Sequence, residues 1–145
     1  MATIEEILEH WKKDSIIDSS GLSTESLKTA SLHAKYYELY VRDALLLSQK
    51  ELNYKRLFKL KCDYYNGRLS TEELKQYKWD QFQLKLLKPD VDIHIFGDDD
   101  IINALLKISV SKEKVDFLKD ILKAIHNRSF IIKNSIEFLK FSSGF

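Results

Sequence analysis

The sequence predicts an all-α fold, and three observations carry that prediction. Glycine and proline are scarce, with four glycines and one proline in 145 residues, so few breaks can interrupt a helix. Apolar residues recur at helical spacing along most of the chain. Two capping boxes mark helix starts. The expected architecture is a short N-terminal helix, one very long helix and a C-terminal helical part, with the helices packing into an oligomer.

Composition is that of an ordinary globular protein, with 44% hydrophobic and 31% charged residues and a net charge of +1. The length fits a single domain, residues 1–145. One cysteine, Cys62, fits a reducing compartment. We see neither a secretory signal nor an apolar run long enough for a membrane span, so we expect a protein of the cytoplasm.

The N-terminal helix begins at a capping box formed by Thr3 and Glu6. Its apolar positions keep the i, i+3, i+4, i+7 spacing of an amphipathic helix: Ile4, Ile7, Leu8 and Trp11. The stretch 15–21 is rich in serine and reads as a connector.

The second helix is expected from about Thr24 to Tyr65, because no glycine or proline interrupts that stretch. A rod of that length, roughly 60 Å at about 1.5 Å per residue, is too long to bury itself in a domain of this size. Its seam follows coiled-coil spacing at Leu27, Ala30, Ala34, Tyr37, Val41 and Ala44. Asn66 and Gly67 should end it with a left-handed cap.

A second capping box, Ser70 with Glu73, predicts a helix to about Leu87, which Pro89 would stop. Alternation of apolar and polar residues over 91–95 favours a brief strand or an extended connector. Asp98 should cap a further helix, and a last helix is expected over about 112–141. Apolar stripes on two long helices, and the stretch 17–22, predict that partner subunits complete the core.

The segment Lys50–Lys61 concentrates positive charge, with five cations against the single acid Glu51. Tyr54 and Phe58 lie between the cations. Single-stranded DNA is bound by cations that neutralise phosphates and by aromatic faces on which bases stack. On composition alone, a solvated helix face whose tyrosines pack on a neighbouring helix is the more ordinary interpretation. On a helix, Lys61 points away from Lys55 and Lys59, so one straight face cannot present all the cations.

No pattern in the sequence indicates catalysis. The histidines have no paired metal spacing, and the acidic residues near 90–100 read as caps and solvated turns. Cys62 lies near lysines but lacks a catalytic-cysteine signature. No glycine-rich phosphate loop is present, so we expect no nucleotide cofactor, no metal and no enzymatic activity.

Three stretches of the chain carry a resemblance to a known family. Residues 59–68, Lys-Leu-Lys-Cys-Asp-Tyr-Tyr-Asn-Gly-Arg, resemble the basic-x-basic-x-Asp-Tyr-Tyr-x-Gly-Arg stretch of the UvsY family of phage recombination mediators. Residues 12–19, Lys-Lys-Asp-Ser-Ile-Ile-Asp-Ser, are similar to its Lys-Lys-Asp-x-x-Ile-Asp-Ser stretch. A weaker match covers residues 124–133. Residues 69 to about 110 do not match clearly.

The resemblance implies a non-enzymatic mediator that binds single-stranded DNA and helps load a RecA-like phage recombinase onto DNA covered by a phage single-strand-binding protein. It implies a ring-like homo-oligomer of about six to eight subunits, with residues 1–68 as the DNA-binding part and 69–145 in assembly. Lys59 and Lys61 match the family's basic pair, although Lys61 stands where arginine is expected. Further candidate contacts to DNA are Lys55, Arg56, Arg68, Tyr64 and Tyr65. The rival hypothesis is a helical oligomeric scaffold that binds proteins but no nucleic acid.

Overall fold

A computed structural model describes residues 2–82 and 84–144, and over these residues the chain forms five α-helices and no strand. The helices are α1 (Ile4–Asp14), α2 (Leu22–Tyr65), α3 (Thr71–Tyr77), α4 (Lys88–Phe96) and α5 (Asp99–Ser142). The all-α prediction is confirmed, and α2 and α5 are each 44 residues long. Within the described residues, no helix has an apolar stretch long enough to cross a membrane.

The predicted helix ends agree closely with the structure for α1 and α2. Thr3 and Glu6 form both hydrogen bonds of the capping box at the start of α1. After α2, Gly67 adopts a positive φ of 70°, and the Arg68 N–H donates to the carbonyl of Asp63 at 2.8 Å. This left-handed cap satisfies carbonyls that the end of the helix would leave unpaired.

The helix predicted from Ser70 to Leu87 was too long. The capping box of Ser70 and Glu73 is present, but α3 ends at Tyr77 because Lys78 takes a left-handed conformation with a φ of 59°. The chain turns there and Trp79 packs against Tyr64, with ring centroids 5.1 Å apart. Gln83, which the predicted helix also covered, lies outside the described residues.

The strand or connector predicted at 91–95 was wrong, because that stretch is part of helix α4. Pro89 lies in the first turn of α4, where its missing N–H leaves no hydrogen bond unmade. Val91 and Ile95 are buried while Ile93 is exposed. The apolar alternation that favoured a strand therefore contains an i, i+4 pair, which is the spacing of a buried helix face.

The last two predicted helices are one continuous helix, α5. Asp98 caps it as expected, since its Oδ1 accepts from the N–H groups of Asp100 at 2.9 Å and Ile101 at 3.2 Å. The sequence between the two predicted helices contains neither glycine nor proline, so nothing there breaks the backbone.

Two compact units make up the chain. Unit 1 consists of Met1–Leu45 and Lys112–Phe145, and unit 2 consists of Leu46–Ser111, so α2 and α5 each contribute one part to each unit. The core of unit 1 is built from Ile7, Tyr36, Leu118, Ile121 and Ile125. In unit 2, Val91, Ile95 and Ile101 form the core, with aromatic residues of α2 packed against it.

Within unit 1, a buried ion pair joins α5 to α2. Arg128 is 4% exposed and donates to the carboxylate of Glu25 at 2.6 Å and to its backbone carbonyl at 3.0 Å. The bond from Arg128 to the carboxylate, and then the one from Lys28, hold the pKa of Glu25 below its ordinary value. A buried cation is tolerated only when such partners replace its water.

The predicted seam of α2 is not covered by other described residues of this chain. Leu27, Ala30, Ala34, Tyr37 and Val41 are exposed, and Ala44 is half-buried. Near the C-terminal end of α5, the large apolar side chains of Phe130, Ile131, Phe138, Leu139 and Phe141 are exposed as well. Apolar surface of this extent on regular helix faces is typical of contacts between proteins.

Candidate nucleic-acid interface

The outward face of α2 in unit 2 carries three exposed cations: Lys55, Arg56 and Lys59. Spacings of three and four residues place Lys59 beside the other two on one side of the helix. No described carboxylate lies within ion-pair distance of any of the three. We call this the outward basic face. Its charges are solvated and available to phosphates, which is the arrangement that single-strand binding requires.

Lys61 lies in different surroundings from Lys59. Two residues along a helix turn a side chain by roughly 200°, and Lys61 points into unit 2, where it is 4% exposed. Its Nζ lies 3.1 Å from Asp98 Oδ2, 2.8 Å from Asp100 Oδ2 and 3.9 Å from the centroid of the Trp79 ring. The structure therefore does not bring Lys59 and Lys61 together as a basic pair, and a DNA contact by Lys61 stays a prediction.

Asp98 is the centre of this buried cluster. It receives hydrogen bonds from the Tyr65 hydroxyl at 2.6 Å and from two backbone N–H groups of α5, besides its ion pair with Lys61. Burial alone would raise the pKa of the Asp98 carboxyl, but the hydrogen bonds from Tyr65 and Lys61 hold it below its ordinary value. Asp98 is therefore a carboxylate, and we call Lys61, Tyr65, Asp98 and Asp100 the inward cluster.

The tyrosines predicted to stack on bases are half-buried among other aromatic rings. Tyr65 meets Phe82 edge-to-face at 4.9 Å, and its pKa is raised by burial and by the bond to Asp98, so its hydroxyl remains a donor. The Tyr64 hydroxyl donates to the carbonyl of Asp80 at 2.6 Å. Trp79 lies against the Tyr64 ring. Base stacking by Tyr64 and Tyr65 stays a prediction, and both side chains fix the segment after α3 against α2.

Arg68, the remaining predicted contact, is exposed in the turn after α2. Beside that turn lies an open-sided cleft of about 610 Å³, lined by Tyr65, Asn66, Gly67, Gln81, Phe82, Leu84, Lys85 and Leu86. Sequence reasoning assigned no function to residues 69–110 and missed this cleft. The available signal was the interleaving of Lys78, Trp79, Phe82 and Lys85, which repeats the pattern of cations and aromatics seen at 50–61.

Lys50, the first cation of the charged segment, lines another cleft of unit 2. That cleft has a volume of about 560 Å³ and also contains Asn53, Tyr54, Asn103 and Lys107. Among the described residues, no group of three or more histidine, cysteine, aspartate or glutamate side chains could hold a metal ion. Asp100, an acid of the inward cluster, lines the same cleft, so its cations are partly balanced there.

Comparison with known proteins identifies the family. The sequence profile described as "Recombination, repair and ssDNA binding protein UvsY" matches residues 10–145. The chain belongs to the UvsY family. The recombination protein uvsY of Enterobacteria phage T4 is 25% identical over 141 residues, which are 97% of this chain and 98% of that protein.

Solved structures of UvsY share the fold. One crystal structure of the bacteriophage T4 recombination mediator protein UvsY superposes with a TM-score of 0.84 at 24% identity, covering 99% of both chains. A second lattice of the same protein gives a TM-score of 0.81 at 25% identity, covering 93% of this chain and 97% of that one. The predicted resemblance to UvsY and the helical architecture are both confirmed.

Proposed function

We propose that this UvsY-family protein binds single-stranded DNA through the outward basic face and helps a RecA-like phage recombinase replace a single-strand-binding protein on that strand. It would act in the cytoplasm of the phage's host and without catalysing a reaction itself. The observation that supports the proposal is the set of three exposed cations with no carboxylate partner among the described residues, in a chain of a single-strand-binding family. Arg68 extends the positive charge past the end of α2.

The proposed mechanism needs several subunits. One subunit offering two to four phosphate contacts binds weakly and loses affinity steeply with salt, but an oligomer multiplies the contacts on one strand. A ring-like homo-oligomer of about six to eight subunits would present as many outward basic faces. The exposed seam of α2 and the exposed apolar end of α5 support assembly. The outward basic face lies within residues 1–68, the predicted DNA-binding part, and the apolar end of α5 lies within residues 69–145, the part predicted to take part in assembly.

Fluorescence anisotropy with a labelled single-stranded oligonucleotide tests the DNA site. The variant Lys55→Gln/Arg56→Gln/Lys59→Gln removes the outward basic face and keeps good helix formers. Its matched control is Lys112→Gln/Lys119→Gln/Lys123→Gln, which removes the same charge from exposed positions of α5 in unit 1. We expect the first variant to bind much more weakly, with the slope of log affinity against log salt reduced by about 2, since each lost phosphate contact removes about 0.7.

Equal weakening of both variants would mean that only net charge matters and would refute the outward basic face as the site. If the native chain binds no strand at low salt, the alternative of a protein-binding helical scaffold, which the exposed apolar faces also favour, becomes the better account.

The mediator role has its own test. A RecA-like phage recombinase that hydrolyses ATP only on DNA reports its own loading when the strand is first covered with a single-strand-binding protein. We expect the native chain to shorten the lag before hydrolysis and the triple glutamine variant of the outward face not to do so. An unchanged lag with a native chain that binds the strand would contradict mediation while leaving DNA binding intact.

A further inference from the structure

The cleft beside the turn after α2 is lined by aromatic, amide and cationic groups together with Leu84 and Leu86. Tyr65 and Phe82 supply aromatic rings, Asn66 and Gln81 supply amide groups, and Lys85 supplies a cation. A volume of about 610 Å³ falls within the roughly 300–1,000 Å³ of sites that enclose small ligands. We call it the 65–86 cleft.

Its polar groups have unused hydrogen-bonding capacity. The Asn66 amide donates to the carbonyl of Cys62 at 2.7 Å, but its oxygen accepts from no described group. The exposed Gln81 side chain makes no hydrogen bond within the described residues, so it can both donate and accept. A planar ring with donors and acceptors on its edge can hydrogen-bond to these amides. The same ring can stack on the aromatic side chains.

One edge of the 65–86 cleft, at Asn66, lies on the side of α2 that carries the outward basic face. The Asn66 N–H still bonds the carbonyl of Cys62, four residues back, so the helical turn continues through Asn66. Asn66 follows Lys59 by seven residues, which is about two turns or roughly 10 Å along the axis on the same side of α2. A strand whose phosphate rests on Lys59 thus passes the rim of the cleft. Lys85 is exposed and free to meet the next phosphate.

We propose that the 65–86 cleft holds one unstacked nucleobase of the bound strand, with the base on the aromatic rings, its edge toward Gln81 and Asn66, and a flanking phosphate at Lys85. This inference rests on the proposed single-strand binding and adds to it a contact with a base rather than with the sugar-phosphate backbone. An apolar side chain from a partner would leave the amides and Lys85 unused, so the lining favours a base.

The test compares a normal oligonucleotide with an abasic strand of equal length and charge. The native chain should bind the normal strand at least about 5-fold more tightly, because stacking on an aromatic ring is lost without the base. Phe82→Leu keeps the apolar volume but removes the aromatic face, so it should weaken normal-strand binding about 5-fold and leave abasic binding unchanged. Phe82→Tyr should keep the native preference. Phe130→Leu changes an exposed phenylalanine of unit 1 and is the matched control.

Ultraviolet cross-linking of an oligonucleotide containing 5-iododeoxyuridine should attach it to Tyr65 or Phe82. Equal affinity for normal and abasic strands would overturn the cleft proposal while leaving single-strand binding in place. An equal loss on both strands for Phe82→Leu would assign Phe82 a packing role and overturn it too. Absence of binding to either strand would instead refute the proposed function, on which the cleft depends.

Discussion

The outward and inward sides of α2 in unit 2 carry the same charge in opposite settings. Lys59 is exposed, with no described carboxylate within ion-pair distance, whereas Lys61, two residues on, contacts two carboxylates and the ring of Trp79. The difference teaches that a count of cations does not define a DNA site. The position of a cation around the helix determines whether it is exposed to solvent. For a buried cation, the groups packed against it determine its role.

The energetics of the two sides differ accordingly. An exposed lysine contributes little to folding and is free to exchange water for phosphate. A buried lysine loses its hydration and contributes through the groups that replace it. The outward basic face is therefore expected to control DNA affinity, and the inward cluster is expected to control the stability of unit 2.

Removal of the inward cation should have the largest effect. Lys61→Met keeps the length of the side chain but leaves Asp98 buried without its cation, which should lower the free energy of unfolding by about 3 kcal/mol. Urea unfolding at fixed protein concentration measures this. A Trp11→Phe background leaves Trp79 as the single tryptophan, so its fluorescence reports on unit 2.

Lys59→Met is the matched control and should change the free energy of unfolding by no more than about 0.5 kcal/mol. If Lys61→Met were as stable as the native chain and bound DNA poorly, Lys61 would be a direct contact and the comparison would fail.

The next largest effect is expected when the pH is lowered, because the stability contributed by the inward cluster depends on the charge of Asp98. Because the folded pKa of Asp98 is lowered, its contribution to stability is complete above its unfolded pKa of about 3.9 and is lost as the pH falls through the folded value. Asp98→Asn should thus be less stable than native near pH 7 and should lose less stability between pH 5 and pH 2. Urea midpoints across that range measure the difference. Parallel curves for the two proteins would show that Asp98 does not titrate with unfolding.

Single substitutions on the outward face should lower DNA affinity and its salt dependence without changing stability. Lys55→Met and Lys59→Met should each reduce the salt slope of single-strand binding by about 0.7, the value for one phosphate contact. Anisotropy titrations from low to moderate salt give the slope. The same slope in both variants and in the native chain would indicate that neither lysine touches a phosphate.

The smallest expected effect concerns the reactivity of Cys62, which reports on packing at the inward side of α2. Burial, and then the charges of Asp63 and Asp92, raise the pKa of its thiol, so little thiolate is present near pH 8. Alkylation by iodoacetamide should be slower than in the urea-unfolded chain, faster in Lys61→Met, and unchanged in Lys59→Met. Mass spectrometry over time follows the reaction. An increase in Lys59→Met as large as in Lys61→Met would mean that the outward face also supports the core.

Part of the fold was predictable because it depends on interactions between residues close together in the sequence. Capping boxes at Thr3 and Ser70, the cap at Asp98 and the left-handed Gly67 depend on residues a few positions apart, so the sequence alone locates them. Helical register also separates Lys61 from Lys59. The partners of Lys61 are not predictable in this way, because Asp98 and Asp100 lie nearly forty positions further along the chain.

Two of the errors involve contacts between separate elements, and one is local. After α3 ends at Tyr77, Trp79 packs against Tyr64, a contact between separate elements that no local pattern encodes. Pro89 was taken as a stop, although the same residue is favourable in a first turn. The 65–86 cleft likewise forms only when the segment after α3 lies against the end of α2.

The division of α2 and α5 between two units also sets how far along the chain each unit must reach for its contacts. Unit 2 is one continuous stretch, Leu46–Ser111, whereas unit 1 joins two separate stretches of the chain. Glu25 pairs with Arg128 about a hundred positions away, so closing unit 1 costs more chain entropy. We therefore expect unit 2 to form first during folding, while Glu25 and the apolar surface of the amino-terminal stretch still lack their partners.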